Sequence, residues 1–308
     1  MMKDAAKRDA YRLKANREEL AELISRALPE DDGTLEPQPG MHFQKHSSRG
    51  KRVYGSYPPA FCVVAQGSKD IFLGDERFRY DASNYLITTM ELPLSGEVVE
   101  VSPKRPYLNF RLVLDPSVVA SVMVDTGYVQ PKNGGEVKAV GVSPLDNELL
   151  DATVRLVRLL DSPDEYRLLA PLVVREIVYR LLMGEQANRL CHLAKLGGKT
   201  HRMARAIATI RNSLDETVRI ESLAEELDMS VSGLHCHFKT VTGMSPLQFQ
   251  KQLRLQEARR LMLSDNLDAT QAGKQVGYDD PSHFTREYKR LFGQPPKRHV
   301  EQLREVST

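Results

Sequence analysis

The stretch Gly277–Pro296, GYDDPSHFTREYKRLFGQPP, predicts a short helix with sharply defined ends. Asp280 is a favourable cap, and Pro281 occupies the first helical position, where the missing N–H of proline costs nothing. A glycine followed by two prolines ends the helix. The spacing i, i+4 and i+7 predicts a buried face made of Phe284, Tyr288 and Leu291. A helix fixed at both ends in this way presents its other residues on a defined outer face.

A second short helix precedes this one, so the two form a helix-turn-helix pattern. Ala269–Val276 predicts that helix, and Gly277 supplies the left-handed residue that ends it. The same arrangement occurs about fifty residues earlier, with a helix over Glu221–Leu227 and a turn over Asp228–Ser230. The helix after that turn is predicted to bury Leu234, Phe238 and Val241. The sequence therefore predicts two helix-turn-helix units.

A long helix joins the two units. It is predicted to begin at Ser245-Pro246 and to end at Met262, with its inward positions at Leu255, Ala258 and Met262. One rigid connector holds the second helix of each unit at a fixed separation. Two such helices about 34 Å apart meet successive major grooves on one face of DNA.

The outer faces of the two second helices carry polar and basic side chains. They consist of Ser232, His235, Cys236 and Lys239 in the first unit, and Ser282, His283, Arg286 and Lys289 in the second. Arg286 is the candidate for guanine, because a guanidinium can bond O6 and N7 together. Phosphate contacts, which position a protein without reading sequence, are predicted for Lys239, Lys289, Arg290, Lys297 and Arg298.

Two stretches, IESLAEELDMSVSGLHCHFKTVTGMSPLQFQKQLRLQEARRLML and AGKQVGYDDPSHFTREYKRLFGQPP, resemble the DNA-binding domain of AraC/XylS-type transcriptional regulators. The resemblance covers nearly all of residues 203–300 and implies seven helices, with the second helix of each unit in adjacent major grooves. It implies base-reading roles for Ser232, His235, Cys236, Ser282, His283 and Arg286. Two residues depart from the family pattern. Gly233 lies inside the first reading helix, and Cys236 stands where many members carry a long polar or basic side chain.

Length and composition place limits on the whole chain. Its 308 residues suggest two domains, and 41% hydrophobic residues suffice for real cores. No apolar run is long enough to span a membrane, and the polar N-terminus has no signal-peptide core, so we expect a cytoplasmic protein. The odd number of cysteines, three, argues against a disulfide framework. The net charge of +2 does not by itself indicate nucleic-acid binding.

The chain changes from a β-rich half to an all-α half. Residues 1–28 predict an amphipathic helix, Pro29–Gly40 a loop, and Tyr57–Asp115 a series of short strands typical of a sandwich or barrel. Further helices are predicted over Pro116–Val124, Leu145–Leu160 and Asp164–Met183, with a loop at Pro131–Gly135. We therefore expect a sensing and dimerisation domain over residues 1–185, a linker over 186–200, and a DNA-binding domain over 201–308.

The N-terminal half resembles the sensor domain of one AraC-type subfamily over about residues 20–185. The resemblance implies a cupin-like β-barrel at about 41–115, then flanking helices at about 116–184 used to form a homodimer. The expected fold is thus α+β in two domains, a barrel with helices followed by an all-α domain. An effector pocket lined by strand residues is predicted, with the candidates Tyr57, Gln66, Lys69, Thr88, Glu91 and Arg111. The sequence does not indicate whether the effector is a small aldehyde, an aromatic compound, a sugar or a nucleotide messenger.

No catalytic residue, cofactor or metal is predicted. Metal-using cupins need clustered His and Glu ligands, whereas Tyr57–Asp115 contains no histidine, and His42 and His46 adjoin a predicted loop. Cys62, in AFCVVA, is interpreted as a small buried hydrophobic residue whose thiol is made less reactive by its apolar surroundings.

The leading hypothesis is a sequence-specific DNA-binding regulator that is controlled by a small molecule. Its expected partners are double-stranded DNA, RNA polymerase, the effector and a second copy of the chain. Two alternatives remain open: a cupin-type enzyme that carries a DNA tether, and an architectural protein that binds all DNA sequences equally.

Overall fold

A computed structural model describes residues 2–28, 32–128, 137–194 and 199–306, without the side chains at 2–6, 199–201 and 305–306. The chain divides into two compact units. Unit 1 contains the residues up to Leu196 except Tyr54–Ser56, and unit 2 contains Tyr54–Ser56 and the residues from Gly197 onward. Unit 1 combines sheets and helices, whereas the described chain from residue 199 onward contains helices and turns. The predicted two-domain α+β fold is confirmed.

Unit 1 contains two sheets, apart from Tyr54–Ser56 in the middle of the third strand. Its strands are β1 (Gly33–Gln38), β2 (Met41–His46), β3 (Val53–Tyr57), β4 (Ala60–Gln66), β5 (Ser68–Leu73), β6 (Glu76–Asp81), β7 (Asn84–Thr88), β8 (Leu92–Glu100), β9 (Tyr107–Val113) and β10 (Val140–Pro144). The larger sheet has the order β1-β2-β9-β4-β7-β10, and the smaller has the order β3-β8-β5-β6. The expected barrel is thus built as two sheets rather than as one closed sheet in the described residues.

Alternation along the strands gives the larger sheet two different faces. On one face, Phe43 on β2 lies opposite Phe110 on β9, which lies opposite Val63 on β4. All three are fully buried among helical side chains. On the other face, Arg111 on β9 lies opposite both His42 and Cys62. The apolar face therefore belongs to the core, and the polar face is available for another purpose.

Five helices accompany the sheets. They are α1 (Met2–Ala27), α2 (Pro116–Asp125), α3 (Asn147–Arg158), α4 (Pro163–Met183) and α5 (Ala187–Ala194). The predicted first helix buries Leu20 and Ile24 completely against the larger sheet. At about 25 cal/mol per Å² of apolar area, two such side chains contribute about 3–6 kcal/mol relative to exposure. Helix α1 is therefore part of the core and not an appendage.

Three segments differ from the sequence predictions. Strand β1 lies within the stretch predicted as a loop, and β10 follows the region assigned to strands. Helix α5 occupies much of the predicted linker, because Leu190 and Cys191 are fully buried in the core of unit 1. The loop predicted at Pro131–Gly135 lies outside the described residues.

Unit 2 contains seven helices in its described residues, as the family resemblance implied. They are α6 (Lys199–Asn212), α7 (Ile220–Glu226), α8 (Val231–Thr242), α9 (Pro246–Ser264), α10 (Ala269–Gln275), α11 (Pro281–Phe292) and α12 (Pro296–Val306). The helix-turn-helix pairs are α7–α8 and α10–α11. Helix α9 contacts α6 and α8 of the first half and α10, α11 and α12 of the second.

Helix α9 also ties the two helix-turn-helix pairs together through one cation. Arg254 donates to the backbone carbonyl oxygens of Leu214 and Glu216, which precede α7, the latter at 2.8 Å. The same guanidinium donates to the carbonyl oxygen of Gly277, in the turn of the second pair, at 3.1 Å. Charge-assisted bonds of this kind are about twice as strong as neutral ones. Helix α9 is thus bonded to both halves of unit 2 as well as packed against them.

Candidate functional site

The second helix of the second pair, α11, is fixed at both ends by its own sequence. The Asp280 carboxylate accepts a bond from the backbone N–H of Ser282 at 2.8 Å, and Pro281 follows it as predicted. Gly293 adopts φ +78° and donates its N–H to the carbonyl oxygen of Lys289 at 2.8 Å. Phe284 and Tyr288 are buried, and Leu291 is half-buried against the same cluster. The outer face is therefore held in a fixed register.

The predicted base-reading residues of α11 all lie on that outer face. Ser282, His283 and Arg286 are exposed. The His283 ring meets Tyr278 edge to face at 5.6 Å between centroids, so its orientation is restrained. Arg286 makes no hydrogen bond or ion pair with any described residue. Its guanidinium is thus uncommitted within the described chain and can reach a ligand.

The corresponding face of α8 carries fewer positively charged side chains than that of α11. Ser230 caps the helix by accepting a bond from the N–H of Gly233 at 3.1 Å. Ser232 and Cys236 are exposed, whereas His235 is half-buried. Gly233 is accommodated close to this cap, since a Cβ there would lie 3.0 Å from the Ser230 hydroxyl oxygen. Helix α8 offers a hydroxyl, a thiol and an imidazole, but its only cation on this face is Lys239.

The predicted phosphate contacts are all exposed: Lys239, Lys289, Arg290, Lys297 and Arg298. One of them is engaged within the unit. Arg290 bonds Glu287 at 2.7 Å, and Glu287 also pairs with Lys251 on α9 at 2.8 Å. Partial burial raises the pKa of Glu287, but its bonds with these cations outweigh burial and leave that pKa lowered. Arg290 is therefore oriented by an anion before any DNA arrives.

Unit 1 contains a cavity of about 410 Å³ between its two sheets. Its polar lining includes His42, Gln44, His46, Tyr57, Lys69, Tyr80, Thr88, Asn109 and Arg111. Its apolar lining includes Val53, Ile71, Leu86, Leu94 and Val98. Cavities of this size and mixed lining are typical of small-molecule sites.

Four of the six predicted pocket residues line this cavity: Tyr57, Lys69, Thr88 and Arg111. The other two, Gln66 and Glu91, do not. A register shift between Val64 and Gln66 breaks the alternation of β4, and the Gln66 amide donates instead to the carbonyl oxygen of Pro106 at 2.8 Å. Glu91 follows the end of β7, outside the regular alternation of a strand.

The prediction placed His42 and His46 beside a loop, but both are strand residues that line the cavity. Burial lowers the pKa of each imidazole, and the positive charge of Arg111 near His42 and of Lys69 near His46 lowers it further. Their neutral forms are thereby favoured. Among the described residues, no group of three His, Cys, Asp or Glu side chains is arranged to hold a metal ion. The i, i+2 spacing of His42, Gln44 and His46 was the signal that could have revealed this face.

Lys69 enters the cavity through a gap left by a glycine. A Cβ at Gly96, on the neighbouring strand β8, would lie 2.7 Å from Cε of Lys69. The Lys69 ammonium donates to the Gln44 side chain at 3.2 Å and lies 5.7 Å from the centre of the Tyr107 ring. Burial lowers the pKa of Lys69 to about 8, and the nearby charge of Arg111 acts in the same direction. The protein therefore holds a desolvated amine beside a second cation.

Cys62 lies on β4, where it is 6% exposed. Burial raises the pKa of its thiol to about 11, although the positive charges of Arg111 and Lys69 oppose that shift. The thiolate, which is the reactive form, is thus disfavoured near neutral pH. This environment agrees with the interpretation of Cys62 as a small buried hydrophobic residue.

Helix α4 of unit 1 carries an exposed apolar stripe. Leu168, Leu172, Tyr179 and Met183 recur at helical spacing with exposures of 70%, 61%, 44% and 50%. Arg175 on the same helix pairs with Asp125 at the end of α2, and the neighbouring Val124 is 79% exposed. Large apolar side chains grouped in this way mark an interaction surface. We call this set the α4 stripe.

Comparison with known proteins identifies both units. Residues 37–189 match the family described as the AraC-type transcriptional regulator N-terminus, and residues 223–302 match a helix-turn-helix domain family. A sheet-and-helix unit followed by paired helix-turn-helix units defines a class of DNA-binding regulators. The chain belongs to the AraC family of transcriptional regulators.

Curated proteins that are similar to this chain match it over only part of their own length. The activator RhaS of Escherichia fergusonii is 28% identical over 164 residues, which is 53% of this chain and 58% of that protein. The regulator ArgR of Pseudomonas aeruginosa is 26% identical over 154 residues, 50% of this chain and 47% of that protein. The matches thus span about half the length of these relatives.

A similar fold is found in ToxT from Vibrio cholerae. One ToxT structure superposes with a TM-score of 0.57 at 11% identity, covering 86% of this chain and 98% of that one. Another, with bound unsaturated fatty acid, gives 0.55 at 11% identity over 88% and 96%. At this identity the likeness concerns the fold alone. Within the described chain, no helix combines the length and the apolar composition needed to cross a lipid bilayer.

Proposed function

We propose that the protein is a sequence-specific DNA-binding transcriptional regulator whose DNA affinity is set by a small molecule bound in the cavity of unit 1. The observation that carries this proposal is the pair of capped helices α8 and α11, each with an exposed polar face, joined through α9. The cytoplasm is its expected location, because its target is double-stranded DNA.

Helices α8 and α11 enter adjacent major grooves in this proposal. Arg286 bonds a guanine, while Ser282 and His283 flank it on the same face. Ser232, His235 and Cys236 face the other groove. The five exposed cations named above neutralise phosphates, so affinity falls as salt rises.

Binding of the effector shifts the chain between two states that differ in operator affinity or in contact with RNA polymerase. A ligand can do this only by binding one of the two states more tightly. The cavity lies between two sheets, and its polar and apolar side chains can both contact a bound molecule. Regulation through unit 1 thus needs no contribution from a metal or from a catalytic step.

The proposal is tested by footprinting purified full-length protein on genomic DNA fragments. We expect protected sites that share a sequence and span two successive major grooves. Competition with unrelated DNA at fixed salt should leave those sites bound, because specific complexes are typically 10³ to 10⁷ tighter than non-specific ones, as an order of magnitude. Equal affinity for all sequences would instead identify an architectural protein.

We further propose that two copies of the chain associate through the α4 stripe. Symmetric dimers are the commonest oligomers, and a helical stripe can pack against its own copy across a two-fold axis. Leu172→Glu places a charge at the centre of the stripe and is expected to convert dimer to monomer in sedimentation velocity. Tyr11→Glu, at a 76% exposed site on α1, is the matched control and should leave the dimer intact. Unchanged association of Leu172→Glu would remove the stripe from the interface.

The absence of enzymatic activity is also a proposal. Its support is that the matched relatives are transcriptional regulators by name. Elemental analysis of the purified protein distinguishes the alternative, since a cupin-type enzyme would retain iron, manganese or zinc in stoichiometric amount.

A further inference from the structure

The cavity of unit 1 concentrates positive charge without a compensating acid. Lys69 and Arg111 both line it, and no Asp or Glu lies among its described lining residues. Neither cation forms an ion pair with a carboxylate of the described chain, whereas most buried charges are paired. Arg111 donates to the carbonyl oxygen of Pro58, at 3.3 Å, and its guanidinium lies 5.5 Å from the centre of the Tyr57 ring. The two cations therefore retain unused capacity to bond an anion.

The two cations come from opposite sheets. Lys69 is on β5 of the smaller sheet, and Arg111 is on β9 of the larger. Both line the same cavity, and the charge of Arg111 lowers the pKa of Lys69. An anion placed between them would relieve that repulsion. The Asn109 side chain lies on the same cavity face as Arg111, because the two are two residues apart on one strand.

Another part of the cavity lining is apolar. Its walls include Val53, Ile71, Leu86, Leu94 and Val98. A volume of about 410 Å³ accommodates roughly a dozen water-sized groups at about 30 Å³ each. A bare inorganic anion would leave most of this apolar surface without a partner. The cavity thus matches a molecule with one anionic end and an apolar body.

We propose that the effector is a small organic acid whose carboxylate is bound between Lys69 and Arg111 and whose apolar body contacts the aliphatic walls. This inference rests on the proposed role of the cavity as the effector site. Arg111 offers a planar fork that matches a carboxylate, and Lys69 adds a point charge. Gly96 contributes by leaving room for the Lys69 side chain.

Affinity for the acid should depend on pH through Lys69. The groups that face its ammonium are Gln44 and His46 on β2, Cys62 on β4, Tyr80 on β6, and Tyr107 and Arg111 on β9. Burial raises the pKa of Cys62 to about 11 and those of both tyrosines further, so these three stay neutral when Lys69 titrates. The acid binds the protonated amine, whose pKa in the free protein is about 8. Affinity should therefore fall as pH rises above about 8.

The experiment compares matched probes on the full-length protein by calorimetry and thermal shift. Octanoate and benzoate are the acids, octan-1-ol and benzyl alcohol are their uncharged counterparts, and inorganic phosphate is the bare anion. We expect the acids to bind roughly tenfold or more tightly than the alcohols, and phosphate to bind weakly. Lys69→Gln and Arg111→Gln should each remove the preference for acid, and Lys69→Gln should also remove the pH dependence above 8. Lys69→Arg should retain the preference, and Lys104→Gln, at an exposed turn, is the matched control.

Equal affinity for acids and alcohols, or acid binding that both Gln variants retain, would overturn the inference. The thermal midpoint of each unliganded variant shows whether it is folded, and Lys69→Arg tests the charge if a Gln variant unfolds. DNA binding is measured separately on the footprinted site. If the wild-type chain shows no sequence-specific DNA binding, the proposed function is wrong. If it binds DNA specifically but does not prefer acids over alcohols, only the proposed ligand class is wrong.

Discussion

The two helix-turn-helix pairs end their first helices with the same hydrogen bonds but with different residues. In the first pair, the N–H groups of Asp228 and Met229 donate to the carbonyl oxygens of Glu225 and Ala224 at 3.0 and 2.9 Å. In the second, the N–H groups of Gly277 and Tyr278 donate to those of Lys274 and Gly273 at 3.1 and 3.0 Å. Both are Schellman turns, which require a left-handed residue. Asp228 supplies it at φ +50° and Gly277 at φ +83°.

The surroundings explain why the two turns use different residues. Asp228 is exposed, and aspartate tolerates the left-handed region better than most residues do. A Cβ at Gly277 would lie 2.2 Å from the backbone oxygen of Asp215, which precedes α7. The second turn therefore packs directly on the first half of unit 2, whereas the Asp228 side chain in the first turn is exposed. The same backbone motif ends a helix in both pairs, but only in the second pair does it also contact the other half of unit 2.

The largest effect is expected from Gly277→Ala. The left-handed conformation alone costs an alanine about 1–2 kcal/mol, and forcing two backbone segments apart adds about 1–3 kcal/mol. We expect a loss of about 2–5 kcal/mol in the stability of unit 2. Denaturation of the full chain, with amide hydrogen exchange in α9–α12 to assign the transition, measures it.

Gly293→Ala is the matched control for that substitution. Gly293 has φ +78°, but a Cβ there would have no atom within 4 Å. It should lose only the conformational part, about 1 kcal/mol. Equal losses at both glycines would show that the contact between Gly277 and the loop before α7 contributes nothing.

The helix-turn-helix pairs could be predicted from the sequence because their signals are local. A cap, a proline and a glycine within a few residues fix α11 whatever surrounds it. The strands at the edges of the larger sheet could not. β1 contains Pro37 and begins at Gly33, which indicate a loop, yet proline is tolerated at a sheet edge, where β1 lies.

The cavity could be predicted only in part, for a related reason. Alternation tells which residues of one strand share a face, but not which strands lie opposite. That Lys69 of one sheet and Arg111 of the other line the same cavity depends on pairing between distant segments. The bulge that turns Gln66 away from the cavity likewise arises from the pairing of β4 with β9. The sequence could therefore predict which residues of a single strand line the cavity. It could not predict which residues from different strands come together there.

Arg286→Ala tests the difference between the outer faces of α11 and α8. Arg286 is exposed and makes no described polar contact, so its loss should act on DNA binding alone. We expect a cost of about 1–3 kcal/mol on the footprinted site and relaxed preference at one base pair. Cys236→Ala, on α8, should cost less than about 0.5 kcal/mol, since a thiol is a weak donor.

Both variants are measured by competition binding at fixed salt, on the cognate site and on sites with single base changes. A uniform loss for Arg286→Ala on every DNA, with a lower salt dependence, would assign Arg286 to a phosphate. A loss of specificity for Cys236→Ala as large as that for Arg286→Ala would remove the distinction between the two helices.

The smallest effect is expected from Asp228→Gly, which gives the first turn the residue of the second. Glycine relieves the left-handed strain but loses about 0.5–1 kcal/mol through the greater freedom of the unfolded chain. The change also removes a negative charge from the C-terminus of α7, where the helix dipole disfavours it by about 0.3–1 kcal/mol. The net result should be a gain in stability of less than about 1 kcal/mol. Asp228→Asn removes the charge while keeping a residue that tolerates this conformation, so it isolates the dipole contribution. If Asp228→Gly instead lowered the stability of unit 2, the aspartate side chain would have a structural role that its exposed position does not explain.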